Sequence, residues 1–128
     1  MLPSLDAEYL TRFPGHAVSV DRGMICVLIP NFPLPPGLDR QAADLLLRLA
    51  PGYPDVPPDM WWFDPAIRRK DGVEIPATQV KENHLGRQWQ RWSRHFAQGQ
   101  WKSGLDSVES YIALVRKELV KAAVVQAA

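Results

Sequence analysis

Cysteine occurs once in the chain, at Cys26. A lone thiol excludes an internal disulfide framework and any zinc cluster built on cysteines, and it fits a reducing compartment, with the cytoplasm as the expected location. Charge of one sign is also scarce, since 15 Lys+Arg stand against 14 Asp+Glu. Net charge therefore supplies no pull toward nucleic acid or an anionic membrane. No apolar run approaches the roughly 20 residues of a membrane-spanning helix. The opening MLPSLDAEYLTRF carries acidic residues where a secretory leader has a basic and then an apolar stretch. No internal repeat is visible. What remains is a single domain over residues 1–128, long enough to bury a substantial core.

Several elements follow from pattern. Leu5, Tyr9, Leu10 and Phe13 repeat on one helical face and Pro14-Gly15 closes the run, so a short N-terminal helix is expected over 5–13. HAVSV alternates, Asp21-Arg22-Gly23 reads as a hairpin turn, and MICVLI reads as a buried central strand bounded at Pro30. NFPLPPGLDR is too rich in proline for a helix or a central strand. AADLLLRLA fits either period. Its shortness and the proline-rich connectors on both sides favour a strand. DMWWF is strand-like, and residues 64–83, with Asp71-Gly72 as a turn signal, form an exposed insertion or hairpin. Val108, Tyr111, Ile112, Val115 and Leu119 then mark an amphipathic C-terminal helix, capped by Asp106 or Ser107 with Glu109 completing a capping box. Residues 122–128 are expected to be a fraying tail. The fold class is α+β: an antiparallel meander of about four strands with a short helix at one end and a longer one packed on it from the other.

Within this frame LLLRLAPGYPDVPPDMWWFDP resembles the ubiquitin-conjugating (UBC) superfamily, and in particular the prokaryotic UBC-like group of the E2 family E type. In that superfamily a Tyr-Pro and a Pro-Pro pair link the third and fourth strands. Here Tyr53-Pro54 and Pro57-Pro58 fall at the family spacing, and Trp61, Trp62 and Phe63 take the apolar strand positions. A proline pair restricts its own φ angles and the residue before it, which fixes how the chain turns between strands. The blander reading is a proline-rich linker or a polyproline II ligand. Flanking apolar strands and adjacent tryptophans favour burial instead. More loosely, the resemblance extends from about residue 5 to about residue 121, the elements coming in UBC order.

The resemblance also says where chemistry should be. Active UBC enzymes follow the fourth strand with His-Pro-Asn and, a few residues later, a cysteine that carries the ubiquitin-like protein as a thioester. This chain has Asn83-His84-Leu85, and no cysteine follows. Residues 85–101 should occupy the active-site loop, ending in a tryptophan, Trp101, ahead of the helix as in the family. Cys26, inside an apolar strand, reads as a small inert hydrophobe. Ser93 with His84 or His95 would give an ester, provided a histidine lies within hydrogen-bond reach of the hydroxyl. His84 and His95, eleven residues apart without a third ligand type between them, fall short of a zinc pattern. Neither a metal nor a cofactor is implied.

Arg87, Arg91 and Arg94 interleave with Trp89 and Trp92, a pattern that suits a protein interface or, as the plain alternative, tryptophans closing the core. Nucleic acid is disfavoured by the balanced charge. The resemblance implies a conjugation factor that lacks the standard cysteine and works by binding a ubiquitin-like protein or its adenylating activating enzyme, in systems that sometimes include a metal-dependent deubiquitinase-like peptidase. Two alternatives stand beside it: a non-standard conjugating enzyme using Cys26 or Ser93, and a UBC-like interaction module unrelated to ubiquitin-like proteins.

Overall fold

A computed structural model describes residues 2–97 and 99–124. The order is α1 (Ser4–Leu10), β1 (Ala17–Asp21), β2 (Met24–Pro33), β3 (Ala42–Leu49), β4 (Met60–Asp64), β5 (Lys81–His84), β6 (Arg87–Ser93) and α2 (Val108–Ala123). The strands form one antiparallel sheet in the spatial order β1-β2-β3-β4-β6-β5. The class is α+β as expected, with six strands where about four were expected. The two additional strands come from the last residues of the segment expected as an insertion and from the stretch expected as an active-site loop.

Period two assigns the faces. Along β3, Ala43, Leu45, Leu47 and Leu49 enter the main core, while Asp44, Leu46 and Arg48 point to the opposite face. Trp61 and Phe63 of β4 join the first set, and Trp62 joins the second. α2 lays Val108, Tyr111, Ile112, Val115 and Leu119 on the core face, and each of them is essentially inaccessible to water. Each such side chain stabilises the fold by about 1.5–3 kcal/mol through burial, which a helix of this composition needs in order to form. Ser107 starts α2, and its backbone N–H donates to Ser110 Oγ at 2.8 Å. Ser110, rather than Glu109, therefore completes the capping box. Ala122 and Ala123 are helical, and the rest of the expected fraying tail, beyond residue 124, lies outside the described residues.

β2 does not stop at Pro30. A register shift between Ile29 and Phe32 carries it on to Pro33, with Asn31 at φ 53° and its N–H donating to Asp44 Oδ1 at 2.9 Å. A bulge is the place where a sheet tolerates a proline. The β1–β2 turn consists of Arg22 and Gly23, both at positive φ, between the paired Asp21 and Met24. Leu85 and Gly86 repeat this geometry between His84 and Arg87.

Residues 64–83 are mixed in character. Val73 and Val80 are exposed, Ile67, Ile75 and Thr78 are buried, and the segment ends in β5. The buried Gln90 side chain clamps it to β6, accepting from the Ile67 N–H at 2.9 Å and donating to the Ile67 carbonyl at 3.0 Å. One expectation about α1 is overturned. Leu5, assigned to the buried face, is 79% exposed, and Asp6 turns inward at 3%. Asp6 accepts from the Tyr53 hydroxyl at 2.7 Å and from the Val108 N–H at 3.1 Å, and this pair of partners rotates the two-turn helix.

Candidate functional site

The residues from which chemistry was expected do not converge. Cys26 is 1% exposed and packs with Leu46, Trp62 and Trp89 on the sheet face away from α2. His84, on β5, is 6% exposed. Its Nδ1 lies 2.8 Å from Arg22 Nη2 and its Nε2 3.2 Å from Glu82 Oε1. A guanidinium only donates, so Nδ1 is the acceptor and Nε2 carries the hydrogen. The geometry assigns the hydrogen to Nε2, with both ring nitrogens already engaged. Burial pushes the Glu82 carboxyl upward, but hydrogen bonds from Trp62, His84 and Arg91 outweigh it and hold the group below the usual carboxylate range.

Ser93 closes β6. Its Oγ accepts from Arg91 Nε at 3.1 Å, and no histidine hydrogen-bonds it among the described residues. A serine nucleophile needs a base within that reach. His95 instead pairs with Asp59, and both side chains are exposed. The described residues contain no group of three side chains suited to a metal.

The basic and aromatic stretch is built inward. Trp89 and Trp92 are fully buried, on opposite faces of the sheet. Arg87 lies over the Trp89 ring, 4.4 Å from its centroid, and bridges Asp44 and Asp64 at 2.8 Å each. Burial works against its charge, and the two carboxylates more than compensate, so its pKa is raised. Arg91 pairs with Glu82 at 2.8 Å and Arg94 with Glu118 at 2.9 Å. The tryptophans thus close the two cores, and the arginines roof them.

The Tyr-Pro and Pro-Pro segment joins the core at two points. Tyr53, 8% exposed, reaches Asp6, and Pro58 is buried while Pro57 is exposed. The Tyr53–Pro54 bond is cis, and the Pro54 carbonyl accepts from Trp101 Nε1 at 2.8 Å. Burial first, and then the hydrogen bond to Asp6, push the Tyr53 hydroxyl well above the ordinary tyrosine value, so it stays a donor.

These contacts floor a cleft of about 530 Å³ between α1 and residues 104–109. Leu5 and Leu105 rim it at 79% and 80% exposure, the two most exposed large apolar side chains among the described residues. Neither leucine stands out in the sequence: Leu5 fits a helical core stripe, and Leu105 sits in an unpatterned loop. The cleft owes its shape to Asp6, whose partners lie 47 and 102 residues away. No local motif encodes such a pairing.

An antiparallel six-stranded sheet, a cis Tyr-Pro connector and a C-terminal helix over one sheet face are thus combined with a buried thiol. The family model for Prokaryotic E2 family E matches residues 2–122, and the chain belongs to that family, which makes it a UBC-like protein. No curated protein and no solved structure matches it. Among the described residues, no helix is long and apolar enough to cross a membrane.

Proposed function

We propose that this chain is a component of a prokaryotic ubiquitin-like conjugation system that has the UBC-like fold and binds the ubiquitin-like protein or its adenylating enzyme, without carrying the ubiquitin-like protein on a thiol. The observation that carries this reading is the setting of Cys26, the one cysteine of the chain, at 1% exposure beneath Trp62 and Trp89. A transfer step requires a thiolate to attack the activated C-terminal carbonyl and displace its leaving group. A thiol at 1% exposure, packed beneath indoles, has no access to such a carbonyl. Among the described residues no histidine hydrogen-bonds Ser93, and His84 has both ring nitrogens occupied within the protein.

Family membership supports the conjugation setting, and the element order supports the UBC-like fold, with the β5–β6 hairpin lying beside β4. The test is size-exclusion chromatography of the purified protein with its system's ubiquitin-like protein, and separately with the adenylating enzyme, for the native chain and Cys26→Ser. A complex with either partner, unchanged by the substitution, is expected. Transfer of the ubiquitin-like protein through this chain that is lost in Cys26→Ser would overturn the reading. Recovery of neither partner would place the chain outside such systems.

A further inference from the structure

The cleft between α1 and residues 104–109 has no role in holding the fold together at its rim. Leu5 and Leu105 project into water although the chain has ample core to bury leucines. Exposed apolar side chains scattered singly need no explanation, whereas two flanking one concave surface mark a place where apolar groups from outside can be covered. The charge of the cleft narrows the occupant. Glu8, Asp106 and Glu109 line it, and no ion pair among the described residues engages any of the three. Among the described residues lining it, the one basic side chain set against them and against Asp6 in the floor is Arg12, which rests over the Tyr9 ring.

From this arrangement we infer that the cleft is a docking surface for a protein segment that is basic and apolar. Its apolar side chains meet Leu5 and Leu105, and its lysines or arginines meet Glu8, Asp106 and Glu109. The inference rests on the binding role proposed above and names the chemistry of the segment that the partner presents. Asp106 accepts from the Lys102 N–H at 2.8 Å but keeps its charge. The polarity matters because carboxylates outside any ion pair repel an acidic segment as strongly as they attract a basic one, so the cleft sorts partners by sign as well as by shape. An acidic, apolar-rimmed groove also shows a recognisable response to salt, since its rim charges are solvent-exposed and screened.

Fluorescence anisotropy with short labelled peptides tests this directly. The probe is a leucine-lysine peptide with leucines at helical spacing, and its counterpart replaces every lysine with glutamate. The basic peptide is expected to bind saturably at one site and to weaken as salt rises, while the acidic one does not bind. Leu105→Ser, and separately Glu8→Lys with Glu109→Lys, should each weaken binding about tenfold or more, equivalent to about 1.4 kcal/mol. All these positions are exposed, so circular dichroism should match the native chain, and thermal unfolding should fall only slightly in the charge-reversed variant, because Glu109 lies in the first turn of α2. Absence of saturable binding by the basic peptide, equal binding by the acidic one, or indifference to both sets of substitutions would overturn the inference. The two readings fail separately. A ubiquitin-like protein or activating enzyme that binds regardless of these substitutions removes the cleft assignment and leaves the proposed function standing. A cleft that seats the basic peptide while neither partner binds removes the proposed function alone.

Discussion

Arg22 Nη2 reaches His84 Nδ1 at 2.8 Å and the Asn83 carbonyl at 2.9 Å, joining the β1–β2 turn to the strand at the opposite edge of the sheet. Two edge elements of a six-stranded sheet can meet only if the sheet curls, as the accumulated twist of its strands allows. The contact closes over the face that holds Cys26, Trp62 and Trp89.

The contact requires Nδ1 of His84 as an acceptor. A hydrogen on Nδ1 would set two donors against each other at 2.8 Å. Nitrogen-15 NMR of the imidazole should show the Nε2–H tautomer near neutral pH, with Nδ1 shifted as an acceptor. Arg22→Gln should shift that nitrogen and speed hydrogen exchange at the turn amides, at a cost of about 1 kcal/mol in stability. An Nδ1–H tautomer in the native chain would refute the geometry.

Glu82 gives the sign of the acid response. Its carboxyl is held below the usual range in the folded chain, so the folded state binds this proton less readily than the unfolded state does. The stabilisation is full above the unfolded value and disappears as pH falls through the folded one. Urea denaturation of Glu82→Gln should show the native chain more stable near neutral pH and the gap narrowing as the solution is acidified. A gap that is constant with pH would mean that the charge contributes nothing.

Asp6 ties α1, the Tyr-Pro connector and the start of α2 together. Asp6→Ala leaves the Tyr53 hydroxyl and the Val108 N–H without their acceptor in a buried site, and should cost about 2–4 kcal/mol. Tyr53→Phe removes one of the two bonds and should cost about 1–2 kcal/mol. A double-mutant cycle should return a coupling between the two positions, and simple additivity would contradict the shared network.

Gly37 makes a close backbone approach. At φ 102° its missing Cβ would fall 2.7 Å from the Ala123 carbonyl oxygen at the end of α2. Gly37→Ala should destabilise by more than about 1 kcal/mol through both strain and contact, seen as a lower denaturation midpoint. An unchanged midpoint would show that the loop and the helix end do not meet.

How much was legible follows from how local each signal is. The spacing of Val108 to Leu119 reveals α2, and Asp21-Arg22-Gly23 reveals the first hairpin turn, because each pattern lies within one element. Tyr53-Pro54 and Pro57-Pro58 carry the family resemblance that the match over residues 2–122 bears out. The β5–β6 hairpin was hidden. Its turn uses Leu85-Gly86 instead of the usual Asn-Gly or Asp-Gly, and β6 places Gln90 and Trp92 on one face with Arg87, Trp89 and Arg91 on the other, so no apolar alternation shows. The arginine and tryptophan stretch reads equally as a contact surface or as core; in the structure its arginines pair with Asp44, Asp64, Glu82 and Glu118, partners mostly distant in sequence, and Trp89 and Trp92 are buried. The rim of the cleft escaped notice for the opposite reason: the helical stripe that claims Leu5 is overruled by two hydrogen bonds to its neighbour, Asp6.

The central claim is that this chain takes part in conjugation without carrying the ubiquitin-like protein on its thiol. Intact-protein mass spectrometry tests it most directly, after incubation with a ubiquitin-like protein, an adenylating enzyme shown to activate it, and ATP, for the native chain and Cys26→Ser. The account predicts the unmodified mass for both chains. An adduct on the native chain that disappears in Cys26→Ser would make the buried thiol a carrier and contradict the account.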